Sequence, residues 1–123
     1  MNLFASPNEV DITSDELIGK FVILEPLEHT SIQTAEFGNR EAVVARVFEM
    51  EGQDVKESGT TLIFWKAVRN QLLSVSPAAP VVAGYVEQAD GKNWQYYTLA
   101  QRTPEGFDAE RVSGQLQSLG VGA

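Results

Sequence analysis

Cysteine is absent from this chain and histidine occurs once, at position 29 of 123 residues. The first absence excludes disulfides, thiolate metal sites and cysteine nucleophiles. The second leaves His29 as the sole imidazole for a serine triad, and no Gly-x-Ser-x-Gly motif accompanies it. A polar side chain at a strand end is the simpler reading of His29. Basic residues are scarce too, 9 against 17 acids, for a net charge of −8. Attraction of the whole surface to nucleic acid or anionic membrane is thereby excluded, whereas a local basic groove is not. No apolar run approaches the roughly 18 residues of a membrane helix. The start, Met1 to Glu9, lacks the basic region of a signal peptide, so a cytoplasmic protein is expected. Neither a phosphate-cradling glycine loop nor a spaced series of acids is present, so no cofactor, metal site or catalysis is expected.

What the chain does have is a joint at its centre. Residues 59–65, Gly-Thr-Thr-Leu-Ile-Phe-Trp, are β-branched and aromatic, as on a half-buried strand. From Trp65 the period changes: Val68 and Leu72 recur at helical spacing, while Lys66, Arg69 and Asn70 fall on another face. A strand therefore runs almost directly into a helix that carries two of the nine basic residues. About two strands precede this joint and about two follow it.

The N-terminal residues 1–12 show no period and read as an arm. Thr13 and Glu16 have the spacing of a capping box, followed by a short helical turn that Gly19 closes. Strands are expected over 20–29 (bent by Pro26), 42–50, 60–65, 81–88 and 94–101, with a polar turn over 30–39 and a charged loop over 51–59. Asp90-Gly91 marks a hairpin between the last two strands. A final helix is expected to start at Thr103-Pro104, and residues 119–123 read as a flexible tail. One domain over 13–118 suits this length. Three strands, a helix, then two strands is the order of an OB-fold, a five-stranded Greek-key barrel that often binds single-stranded nucleic acid. The expected fold is therefore mainly β, OB-like, with a helix between strands 3 and 4 and a C-terminal helix.

Phe64, Trp65, Tyr85, Trp94, Tyr96 and Tyr97 all belong to strands 3 to 5. An exposed ring stacks on any base, worth about 1–3 kcal/mol each, while adjacent cations meet phosphates. Trp65, Tyr85, Trp94 and Tyr96 are the candidate stacking residues; Arg46, Lys66, Arg69 and Lys92 are the candidate phosphate contacts. Burial in the core competes for each ring. Trp94 and Tyr96 alternate with Gln95 and Tyr97, so both faces of the last strand carry an aromatic and at least one lies off the core. The turn at Phe37-Gly38-Asn39-Arg40 poses the same choice between gripping a ligand and stapling the fold.

Four phrases, Gly19-Lys-Phe-Val-Ile-Leu-Glu-Pro26, Thr34 to Gly38 with Ala42-Val-Val-Ala45, Leu62-Ile-Phe64, and Asn70-Gln-Leu72, resemble a family of actinobacteriophage single-stranded DNA-binding proteins. The likeness spans roughly residues 15–100, and Gly91 and Trp94 match the glycine before the family's fifth strand and the tryptophan near that strand's start. Glu87-Gln88-Ala89-Asp90 departs from it by being acidic. The resemblance implies an OB-like core and sequence-independent binding of single-stranded DNA in phage replication or recombination, inside the host cytoplasm. Replication or recombination proteins are further partners it implies. The alternative is a β-barrel module that binds protein and no nucleic acid. An uncovered edge strand would also allow a homo-oligomer.

Overall fold

The computed structural model describes residues 12–34, 38–91 and 95–121. A 3₁₀ turn, Ser14–Leu17, opens it, with the Thr13–Glu16 capping box in place. Then follow β1 (Phe21–Thr34), β2 (Gly38–Glu51), β3 (Asp54–Ile63), α1 (Lys66–Leu73), β4 (Val82–Asp90), β5 (Gln95–Ala100) and α2 (Ala109–Ser118). The segments expected as a polar turn and a charged loop are largely strand. β1 and β2 run 14 residues each, because the ladder from Ser31↔Glu41 to Thr34↔Gly38 satisfies their backbone groups whatever the side-chain polarity. Likewise β3 begins at Asp54, just past Gly52, whose φ of +64° makes the tight turn. Pro26 sits beside the one register shift between β1 and β2, where a missing N–H costs no ladder bond.

All five strands pair antiparallel in one sheet of order β3-β2-β1-β4-β5. The sheet is open. Closure into a barrel is not seen among the described residues, since no ladder joins β3 to β5. Other groups occupy those edges: Ile12 donates to the Thr60 carbonyl at 3.0 Å on β3, and the Gln71 side chain of α1 reaches Leu99 on β5.

Alternation along the strands sends one set of apolar residues to each face. Val22, Leu24, Val43, Ala45, Val47, Ile63, Val86 and Leu99 pack with Leu17 and with Val68 and Leu72 of α1. Phe21, Ile23 and Phe48 pack on the opposite face with Val112 and Leu116 of α2 and with Val121. Fully burying side chains of this size contributes about 1.5–3 kcal/mol each, which holds both helices on the sheet. Beyond them a small cluster of Ile32, Ala42 and Leu62, backed by Val44 and Phe64, extends the core towards the tip of the β1–β2 hairpin.

The C-terminal helix starts later than Thr103-Pro104. Asp108 is its N-cap, accepting from the amides of Glu110 and Arg111. The tail expected to be flexible is packed as far as Val121, which is 6% exposed, and the Leu119 carbonyl accepts a hydrogen bond from Arg46. No helix among the described residues is long and apolar enough to cross a membrane.

Candidate nucleic-acid interface

The joint between β3 and α1 builds one wall of a cleft. Trp65 takes the N-cap position, and it brings no side-chain acceptor to the first turn of α1, nor is there an acid in that turn. Val68 and Leu72 anchor the helix in the core, which turns Lys66, Ala67 and Asn70 outward along the cleft. Arg69 fixes the joint: its Nε donates to the Phe64 carbonyl at 3.1 Å and its Nη1 to Glu41 of β2 at 2.9 Å. At the other end of the helix Ser74 Oγ donates to the Gln71 carbonyl, and Pro77 follows where a helix could not continue.

The opposite wall is β5. Gly91, Gln95, Tyr96 and Tyr97 line it. Tyr97 turns its ring into the α1 side of the core, 4.9 Å from the Trp65 ring, whereas Tyr96, on the other face of the strand, is 39% exposed. One ring in the core and one outside is what alternation along the strand required. Arg40, at the start of β2, closes the cleft from the hairpin side, its guanidinium 4.6 Å from the centre of the Phe64 ring.

The cleft encloses about 790 Å³. Among the described residues its lining holds three cations, Arg40, Lys66 and Arg69, four aromatics, Phe64, Trp65, Tyr96 and Tyr97, and no carboxylate. In a chain of net charge −8 that is a local reversal of sign. Carboxylates stand just outside it. Glu41 pairs with Arg69 from a position 65% exposed, and Asp90 accepts from the Gln95 side chain at 3.3 Å. Lys66 is exposed and makes no ion pair among the described residues.

Of the residues singled out from sequence, Trp65, Lys66, Arg69 and Tyr96 meet in this cleft. Lys92 and Trp94 lie outside the described residues, between Gly91 and Gln95, which line it. Arg46 and Tyr85 are elsewhere. Arg46 lies on the α2 side of β2, where it pairs with Glu57 at 2.9 Å and Glu25 at 3.3 Å and covers the Phe48 ring. Register is the reason: Glu25 is directly opposite Arg46 on β1. Tyr85 packs against Phe21, ring centres 5.4 Å apart, under Arg102, which is itself paired with Glu87.

Sequence reasoning placed Arg40 in a turn that either grips a ligand or staples the fold and left it out of the phosphate contacts, and it treated Phe64 and Tyr97 only as members of an aromatic set. The signal for Arg40 was present, since it follows the Phe37-Gly38-Asn39 turn. What brings it to Phe64 is the length of the β1–β2 hairpin beyond the rest of the sheet. Compared with protein-family models, with curated proteins and with solved structures, the chain matches none.

Proposed function

We propose that this protein binds single-stranded DNA, largely without reading its sequence, through the cleft between the start of α1 and β5. The observation that carries this reading is the composition of the cleft: among the described residues, three cations and four aromatic rings with no carboxylate, in a protein otherwise acidic. Rings offer faces on which bases of any sequence stack, and the cations meet the phosphates between them. Lys66 stands at the first position of α1, so the positive end of the helix dipole and the ammonium group add at one point.

The fold reading that goes with this is OB-like. The open sheet's order of β3-β2-β1-β4-β5, with a helix between β3 and β4, is the order a five-stranded Greek-key barrel would have if opened between β3 and β5. OB-folds bind ligands at strands 2 and 3 and at the loops joining strands 1–2 and 4–5. Here Arg40 near the first loop, Phe64 just after β3, and Gly91 and Gln95 beside the second loop share the cleft. The resemblance to actinobacteriophage single-strand binders points the same way, towards a role in phage replication or recombination.

The test is tryptophan fluorescence titrated with oligo-dT and with the matching duplex over a range of salt. Quenching by the single strand is expected, weakened by salt. Each phosphate contact on a single strand adds about −0.7 to the slope of log K against log salt. Lys66→Ala should reduce that slope by about 0.7, while Tyr96→Ala should weaken binding by about 1–3 kcal/mol with the slope unchanged. No response to either ligand at low salt would overturn the reading in favour of a protein-binding module.

A further inference from the structure

The free edge of β5 suggests how the cleft would tell an unpaired base from a paired one. In an antiparallel pair, residues alternate between those whose N–H and C=O bond the neighbouring strand and those whose groups point away. Val86 of β4 uses both of its groups on the β1 side: its carbonyl accepts from Gly19 at 2.7 Å and its N–H donates to Lys20 at 3.0 Å. Leu99, directly opposite Val86, therefore has no main-chain partner on β4. Its groups point outward, where the Gln71 carboxamide takes both, accepting from the Leu99 N–H at 3.1 Å and donating to its C=O at 3.2 Å.

The register from Tyr85↔Ala100 to Asp90↔Gln95 runs without a shift. Tyr97, two residues before Leu99, must therefore point its N–H and C=O outward as well. Among the described residues no carboxamide meets them, and Tyr97 lines the cleft. Tyr97 and Leu99 thus present equivalent donor–acceptor pairs, that of Leu99 filled by Gln71 and that of Tyr97 open towards the proposed ligand.

We infer that the main-chain N–H and C=O of Tyr97 take the pairing edge of one nucleobase. This rests on the nucleic-acid reading above and deepens it. Every base carries on its pairing edge an acceptor and a donor separated by a single carbon, as the Gln71 carboxamide does. Thymine and guanine offer C=O beside N–H, and adenine and cytosine offer a ring nitrogen beside an amino group. A strand edge that accepts any such pair does not read sequence. It does require the edge to be free, and in a duplex that edge is occupied. Selection for single strands then comes from the backbone of β5, and affinity from the rings and cations around it.

The experiment compares oligo-dT with the same oligomer built from N3-methylthymidine, which keeps ring faces and phosphates but lacks the N3–H donor. A bidentate contact to a base edge predicts about tenfold weaker binding of the methylated strand, with the same salt slope. Equal affinity for the two would overturn the edge contact and leave the cleft reading standing. No binding of either would remove both, and binding of an extended acidic peptide instead would reassign the edge to strand addition. A second arm varies the protein. Tyr97→Ala removes the ring and keeps the N–H, whereas Tyr97→Pro removes both, at an edge position where proline breaks no ladder bond. Oligo-dT should bind Tyr97→Pro several-fold more weakly than Tyr97→Ala, and the methylated strand should not distinguish them. If Tyr97→Pro does not fold, the comparison of the two strands on the unaltered protein still decides.

Discussion

Arg46 holds three parts of the molecule at once. Its guanidinium bonds Glu25 of β1, Glu57 of β3 and the Leu119 carbonyl beyond α2, and it covers the Phe48 ring. With its side chain only 18% exposed, removing it would leave Glu25 half-buried without its partner. Arg46→Ala is therefore expected to lower the urea unfolding free energy by about 2 kcal/mol and to leave the salt slope of oligonucleotide binding unchanged. Lys66→Ala should lower that slope and leave stability unchanged, because Lys66 is exposed and makes no ion pair among the described residues. Thr61 offers a contrasting case. It is fully buried, and its hydroxyl has no hydrogen-bond partner among the described residues. Replacing an unpaired buried hydroxyl by a methyl group of the same shape removes a desolvation penalty. Thr61→Val should raise the unfolding midpoint, by about 1 kcal/mol in stability, and a loss of stability would show that the hydroxyl is paired in solution. Neither role is visible at the level of single residues. Arg46 reads as one more surface cation until register sets Glu25 against it, and Thr61 reads as any strand threonine.

At the scale of elements, both sheet edges are stopped by glutamines. Gln71 of α1 takes the N–H and C=O of Leu99 on β5, and Gln115 of α2 accepts from the Val55 N–H at 2.6 Å on β3. An open strand edge is a template for pairing with another chain, and these side chains shorten both templates. Gln71→Ala would free Leu99 and extend the unpaired stretch of β5 from Gln95 and Tyr97 to a third outward-facing residue. Concentration-dependent self-association is expected, measurable by light scattering, together with a stability loss of about 1–2 kcal/mol. A variant that stays monomeric at every concentration would show that the edge is protected by other means. The strands themselves were legible in sequence wherever one face is apolar, as in residues 42–50. Residues 30–34, 38–41 and 54–58 were not, because Ile32 and Val55 are their only apolar side chains and their pairing comes from the continuing ladder.

For the molecule as a whole, charge is arranged in pairs rather than spread. Lys20, Arg46, Arg69, Arg102 and Arg111 each face a carboxylate, so the net acidity and the basic cleft coexist. The Arg111 pair bears on acid stability. Hydrogen bonds from Arg111 and Gln115 and the charge of Arg111 hold the Asp54 carboxyl below its ordinary 3.8. A carboxylate lowered in the folded state contributes stability that is complete above its unfolded value and lost as pH falls through its folded one. Asp54→Asn should therefore flatten the fall in stability below pH 3.8, seen as a smaller drop in unfolding midpoint between neutral and acid solution. A drop as steep as that of the unaltered protein would place the acid sensitivity elsewhere. Composition alone determined that cysteine chemistry is absent and that no whole-surface basic field exists. Periodicity determined the number of strands, the α1 joint and the stacking candidates that share it, because a buried face must repeat at the period of its element. Which rings face the core and which the cleft, that Arg46 is a strut, that Arg40 belongs to the cleft, and that the sheet stays open were decided only by tertiary structure. Each depends on which residue of one strand stands opposite which residue of another, and a one-residue change of register would move every side chain to the other face.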